Sequence, residues 1–333
     1  MDAPSPLAFR LLNEFQRGFP LCARPYQQLA EGLGSSEGEV IALLAGLREA
    51  GAVSRIGAVF APRRVGASTL AAMAVPSADL ERVADLISRR PEVNHNYQRE
   101  HRYNLWFVAT AEDGAALDAA LNSMTVDTGY AVLRLPLLEG YHIDLGFDLG
   151  GRRAPRGICQ GRSVPDAAAL SAPERALLGV LQHGLELLPR PFSRLALRAG
   201  LDEAAVLAMI EVWLESGFVK RFGVVVRHHE LGYAANAMCV WDVPDVEVAA
   251  LGARLALEPA VTLCYRRARA LPAAGWPYNL FCMIHGRNRA EVEAEIAALR
   301  ARHGLGGYVQ DVLFSLRRFK QRGARYVHGA AHG

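Results

Sequence analysis

The sequence predicts an α+β chain made by tandem duplication. Each half reads as a winged helix-turn-helix followed by a ferredoxin-like βαββαβ domain, with the two sheets packing as a pseudo-dimer. Three observations predict it. Landmarks recur at a single offset of 166 residues: Arg24-Pro25-Tyr26 returns as Arg190-Pro191-Phe192, Leu29 as Leu195, Gly34 as Gly200, Gly51 as Gly217, Arg55-Ile56-Gly57 as Arg221-Phe222-Gly223, and Gly66 as Gly232. Each copy opens with a stretch of helical period. Each then changes to the order strand, helix, two strands, helix, strand.

In the first copy Leu7, Leu11, Leu12 and Phe15 make the stripe of one helix, and a second short helix runs from Tyr26 to Leu33. A third, from Glu39 to Ala50, carries Val40, Leu43, Leu44 and Leu47 at i, i+3, i+4, i+7 spacing. Ser35 or Ser36 suits its N-cap and Gly51 its stop. Gly51 to Phe60 is a short ribbon. The second copy repeats this with Ser171 capping a first helix, then helices at 192–199 and 203–216 and a ribbon at 217–226. The ferredoxin-like elements are expected at 68–75, 78–90, 93–98, 103–110, 113–123 and 129–138, and again at 234–242, 245–258, 260–267, 278–285, 288–303 and 308–316. Such an order makes a four-stranded antiparallel sheet with both helices on one face, so two sheets in one chain have bare faces to cover each other.

The division that follows is 1–60 and 61–149 for the first half, a linker at 150–168, 169–227 and 228–327 for the second half, and a disordered tail at 328–333. The linker rests on four glycines, two prolines and four arginines between Gly150 and Pro165. At 333 residues and 51% hydrophobic content the chain can bury two substantial units. Five widely spaced cysteines with no CxxC pair argue against a disulfide framework or a zinc site, and no metal ligands are assigned. No apolar run is long enough for a bilayer, so the expectation is a cytoplasmic protein with no membrane partner. A net charge of +3 does not by itself imply nucleic acid, and local clusters of arginine are more informative than the total.

A helix-turn-helix joined to a ferredoxin-like domain resembles the Lrp/AsnC family of transcription regulators. The groove-facing residues speak against DNA as a partner. A recognition helix presents basic and amide groups at its N-terminal end. Here that end reads Ser35-Ser36-Glu37-Gly38-Glu39 in one copy and Leu201-Asp202-Glu203-Ala204-Ala205 in the other, and carboxylates there repel phosphate. A transcription regulator or a tetrapyrrole-sensing binding protein stands as the alternative reading.

Chemistry gathers instead in Asn94-His95-Asn96-Tyr97-Gln98-Arg99-Glu100-His101-Arg102-Tyr103-Asn104. Strand alternation puts His95, Tyr97 and Arg99 on one face. A solvated polar hairpin would also explain the run, but the second copy presents Tyr265, Arg266, Arg267 and Arg269, then an insertion from Ala270 to Pro277, then Tyr278-Asn279. Its ribbon adds Lys220, Arg221 and Arg227, and its C-terminal segment adds Lys320 among several arginines. Guanidinium forks hold carboxylates bidentately, so this density of cations points to a ligand with several carboxylates.

His-Asn-Tyr-x-Arg with Tyr-Asn-Leu-Trp-Phe in one copy, and Cys-Tyr-Arg-Arg with Trp-Pro-Tyr-Asn-Leu-Phe in the other, resemble the siroheme decarboxylases in their fused form, a D-like half before an L-like half. The resemblance runs from residue 7 to about 327, the linker aside. It implies removal of carbon dioxide from the acetates at ring positions 12 and 18 of siroheme, giving 12,18-didecarboxysiroheme on the route to haem d1 or haem. It implies no cofactor beyond the iron-containing substrate. It admits a homodimer of the fused chain and hand-off of product to downstream enzymes. Siroheme carries eight carboxylates, which suits the arginines.

Losing carbon dioxide leaves carbanion character on a methylene. The macrocycle can disperse it, and a residue must then protonate the carbon. His95 and His101 lead as donors, with Tyr97 and Tyr265 as secondary donors or orienters. The binding set is Arg55, Arg99, Arg102, Lys220, Arg221, Arg227, Tyr265, Arg266, Arg267, Arg269, Tyr278 and Lys320. An axial ligand to the substrate iron could come from His95, His101, His228 or Cys264, although a hydrogen-bonded histidine is commoner. His285, at the end of an apolar strand, reads as structural. Leu263 stands where His95 would recur, so the halves are not equivalent.

Overall fold

The computed structural model describes residues 5–61, 65–143, 170–226, 235–270 and 275–323, so the expected linker and tail lie outside the described residues. The first half runs α1 (Pro6–Glu14), α2 (Pro25–Leu33), α3 (Glu37–Glu49), β1 (Val53–Phe60), β2 (Ala67–Met73), α4 (Leu80–Arg89), β3 (Val93–Arg99), β4 (Leu105–Ala111), α5 (Gly114–Thr128) and β5 (Leu133–Ile143). The second runs α6 (Ala172–Leu181), α7 (Pro191–Ala199), α8 (Glu203–Glu215), β6 (Val219–Val226), β7 (Ala235–Asp242), α9 (Val248–Ala256), β8 (Val261–Arg267), β9 (Leu280–Gly286), α10 (Arg289–His303) and β10 (Val309–Gln321). Both copies thus contain the predicted elements in the predicted order.

Local chemistry explains the helix boundaries. Ser36 caps α3 in a reciprocal box with Glu39, and Ser171 caps α6 in the same way with Glu174. α2 and α7 each begin on a proline and end at a glycine in the left-handed region, Gly34 and Gly200. At the start of α3, Glu37 pairs with Arg24, and at the start of α8, Glu203 pairs with Arg190. Each arginine that precedes a second helix therefore answers an acid of the following one.

The ribbon expected within each half is a single strand. β1 and β6 pair antiparallel across the two halves, with Gly57 opposite Gly223 at the centre. Gly223 is needed there, because a Cβ would lie 2.4 Å from the Phe15 carbonyl oxygen. The helix-turn-helix units share one core in which Leu11, Tyr26 and Leu44 join Leu177, Phe192 and Trp213.

The sheets do more than face each other. Their order is β10-β3-β4-β2-β5-β8-β9-β7, closing back on β10, all neighbours antiparallel: an eight-stranded barrel. β5 and β10 run past their expected ends at 138 and 316, and the segments that include these extensions pair with the other half: Leu137–Ile143 with β8, and Ser315–Gln321 with β3. Both edges of each ferredoxin-like sheet are thereby used. α4 and α5 cover the outside of one sheet, and α9 and α10 the outside of the other. The inner wall holds a mixed core of Trp106, Leu135, Met238, Tyr265, Trp276, Phe281, Met283 and Leu313.

Candidate active site

Cross-strand pairing fixes which residues of β3 face inward. His95 lies opposite Val108 and Tyr97 opposite Trp106, and both partners belong to the inner core. His95, Tyr97 and Arg99 therefore form a column on the inner wall. The His95 and Tyr97 rings are nearly parallel at 6.3 Å, and the Arg99 guanidinium sits 5.9 Å from the Tyr97 ring. Asn96 points the other way and donates to the Ala84 carbonyl and the Ser88 hydroxyl on α4.

The second half repeats this column in part. Tyr265 stacks on Phe281, and Arg267 lies 4.5 Å over the Tyr265 ring. Arg99 donates to the Leu313 carbonyl of β10 at 2.9 Å, and Arg267 donates to the Leu135 carbonyl of β5 at 2.6 Å. Burial lowers the pKa of both guanidiniums, yet arginine keeps its charge in a protein. Among the described residues no carboxylate answers either one, and Arg267 Nε is buried without a hydrogen-bond partner. An acid-free buried guanidinium is costly in isolation and is a strong receptor for a carboxylate.

His95 is neutral near pH 7, its pKa brought down to about 4 by burial and by the positive charge of Arg55. Arg55, on β1, donates to the Ala58 carbonyl and still reaches His95 electrostatically. Arg55 thus lies near enough for its charge to act on the His95 imidazole.

One end of the barrel is aromatic. Trp276 meets Trp106 at 5.2 Å, Tyr278 at 4.9 Å, His101 at 5.5 Å and Tyr103 at 6.0 Å. His101 Nδ1 accepts from the Tyr103 N–H at 2.9 Å, and Nε2 lies 3.2 Å from an Asp311 oxygen. Both ring nitrogens are thus engaged by the protein. Burial lowers the His101 pKa, with Asp311 opposing. Burial and the Asp311 charge raise that of Tyr278. Arg102 donates to the Gly275 carbonyl and covers Tyr103. These contacts build a plug, and His101 belongs to it rather than to the column with His95.

Several expected binders are engaged by other groups of the protein. Arg221 is buried in the helix-turn-helix layer, where it donates to the Gln16 and Val224 carbonyls, and burial brings its pKa down to about 10. Arg266 pairs with Asp245, and Arg269 is taken by Asp242, Asp245 and the Val243 and Pro277 carbonyls. Lys320 caps α4 by donating to the Ser88 and Arg90 carbonyls. Lys220 lies exposed on β6, and Arg227 and His228 fall outside the described residues. Cys264 faces the outer helices, 3.5 Å from the Gly252 carbonyl, and so turns away from the interior.

One inward residue escaped the motif reading. His285 follows Phe281 and Met283 at strand period on β9, and its Nδ1 lies 3.0 Å from Thr262 Oγ1. Burial and the Arg99 charge bring its pKa down to about 4. Alternation along β9 was the signal that could have found it.

Two helix-turn-helix units fused to a barrel of paired ferredoxin-like sheets, with guanidiniums on the inner wall that no carboxylate among the described residues answers, define an AsnC-like ligand-binding protein. The model of the AsnC-like ligand binding domain matches residues 64–142 and 230–320, and that of the siroheme decarboxylase NirDL-like HTH domain matches 9–53 and 174–219. The siroheme decarboxylase NirDL subunit of Paracoccus denitrificans strain Pd 1222 is 46% identical over 325 residues, covering 98% of each chain. The crystal structure of the siroheme decarboxylase NirDL superposes with a TM-score of 0.70 at 26% identity, covering 96% of this chain and 94% of that one. Its co-complex with an iron-uroporphyrin III analogue superposes at 0.68, also at 26% identity, over 96% and 93%. This chain belongs to the siroheme decarboxylase family.

Proposed function

We propose that this chain decarboxylates siroheme at the acetates of ring positions 12 and 18, giving 12,18-didecarboxysiroheme for haem d1 or haem formation. The observation that carries the reading is the pair of inward Tyr-x-Arg columns, Tyr97 with Arg99 and Tyr265 with Arg267, answered by no carboxylate among the described residues, in a chain 46% identical to a NirDL subunit. The solved NirDL structure with an iron-uroporphyrin III analogue supports a tetrapyrrole polycarboxylate as ligand.

In this reading Arg99 and Arg267 take substrate carboxylates from opposite walls and fix which acetates reach the reacting position. The C–CO2 bond breaks, its electron pair passes into the conjugated ring, and the methylene carbon takes one proton for each carbon dioxide released. His95 is neutral in the free protein. A substrate carboxylate placed beside it offsets the Arg55 charge and favours the imidazolium, so the proton is taken up where it is used. Tyr97 orients the ring that carries the reacting acetate. The domain division expected at 60, 149, 168 and 227 belongs to the same proposal. Anaerobic incubation with siroheme, read by mass spectrometry, should give a product lighter by two carbon dioxide masses. Unchanged siroheme beside folded protein would overturn the assignment.

A further inference from the structure

Each decarboxylation consumes a proton, so the barrel interior needs supply from solvent. One end is filled by Trp276 packed on Trp106 and Tyr278. On the side of the second sheet a groove of about 750 Å³ lies between the end of α9, the start of β8 and α10, and its wall includes Glu258, His285, Glu291, Ala294, Glu295 and Arg302. His285 lines this groove, and strand alternation gives its side chain the same face of β9 as Phe281 and Met283, whose side chains lie in the inner core. Its imidazole feels the Arg99 charge.

We propose that His285 relays protons from this acidic groove into the barrel interior, where they reach the carbon left by decarboxylation. The proposal rests on the decarboxylase reading and adds a residue with no equivalent in the first half, since Thr110 stands at the matching place on β4. A neutral imidazole suits a relay. It accepts a proton on one ring nitrogen while releasing one from the other, and ends in the alternative tautomer. Thr262 is built to permit this, because its hydroxyl oxygen lies 3.0 Å from both His285 Nδ1 and the Met283 carbonyl, so it can donate to either and accept from the imidazole. The groove keeps carboxylates at its mouth: Glu258 is held by Arg302 and His303, and Glu291 by the Arg287 N–H. They raise the local concentration of protons near the histidine. The balance per acetate is one carboxylate and one proton giving one methyl group and one carbon dioxide, with no oxidant or reductant.

The test uses the full chain with siroheme under anaerobic conditions. His285→Gln should lower kcat on the order of 100-fold while leaving siroheme affinity, read by the Soret band, unchanged. Added imidazole should restore part of the rate. Ala294→Phe, an exposed position on the groove wall, should lower kcat several-fold and enlarge the solvent deuterium isotope effect without touching the interior. Full kcat in His285→Gln, a loss of affinity that matches the loss of rate, or an unchanged isotope effect in Ala294→Phe would each overturn the relay. Should His285→Gln fail to fold, Ala294→Phe decides alone. Wild-type protein that binds siroheme and releases no carbon dioxide would instead retire the decarboxylase reading itself.

Discussion

The two halves of the barrel share a wall pattern and differ in its histidines. Tyr97 and Arg99 match Tyr265 and Arg267 down to the carbonyl each guanidinium holds, Leu313 on one side and Leu135 on the other. Nearer the ribbon the match ends: His95 faces Leu263, and Thr110 faces His285. Duplication supplied two inward guanidiniums, the carboxylate anchors of the proposed function, whereas His95 and His285 have no imidazole at the matching place in the other half. Symmetric anchors can hold a pseudo-symmetric macrocycle, but two different acetates need distinct chemical neighbours. The asymmetry is therefore where the order of the two decarboxylations would be set.

The comparison breaks most sharply at His95. His95→Leu makes the first half resemble the second and should lower kcat by about 10² to 10⁴-fold with siroheme affinity retained. Anaerobic turnover and a Soret titration separate the two quantities, and full turnover would remove His95 from the proton step. Next come the anchors. Arg99→Met and Arg267→Met should each weaken siroheme binding by about 2–5 kcal/mol, because a substrate carboxylate is left unpaired. Neither should lower the melting temperature of the free protein much, since each removes a desolvated charge with no acid beside it among the described residues. Equal losses would make the anchors equivalent, and unequal ones would extend the asymmetry to binding.

The third expectation concerns the free protein in acid. Both His95 and His285 have folded pKa values of about 4 against an ordinary 6.5, so the unfolded chain binds their protons first as pH falls. Their contribution is intact above 6.5 and is lost between about 6.5 and 4, at ~3 kcal/mol for each imidazole over the whole range. Urea midpoints at pH 7 and pH 5 should show the fall, and His95→Leu should shrink it. Unchanged midpoints would mean that neither ring is held neutral. The smallest effect is expected at His101. With Tyr103 and Asp311 on its two nitrogens, His101→Gln should cost ~1 kcal/mol of stability and leave turnover nearly unchanged. A large loss of kcat would move the proton donor to the aromatic end.

Much of the scaffold was legible because it depends on neighbours in sequence. The Ser36–Glu39 and Ser171–Glu174 boxes, the glycine stops and the inward alternation of His95, Tyr97 and Arg99 need only a few residues of context. The cations were harder to read. Arg221, Arg269 and Lys320 looked like ligand binders as bare charges, yet each is taken up by carbonyls or acids that the chain brings from elsewhere, Gln16 lying 205 residues from Arg221. His285 looked like the end of an apolar strand until the other strands showed that its face is the interior.

By itself the sequence determined the duplication, the order of elements and the shared face of His95, Tyr97 and Arg99, because period, caps and repeats are local. The tertiary structure alone decided that β5 and β10 cross to the other half and close a barrel, that β1 and β6 make one shared ribbon, and that Trp276 fills one end. The physical reason is the same each time. Backbone edges, buried charges and aromatic faces must find partners, and in this chain the partners lie in the other half.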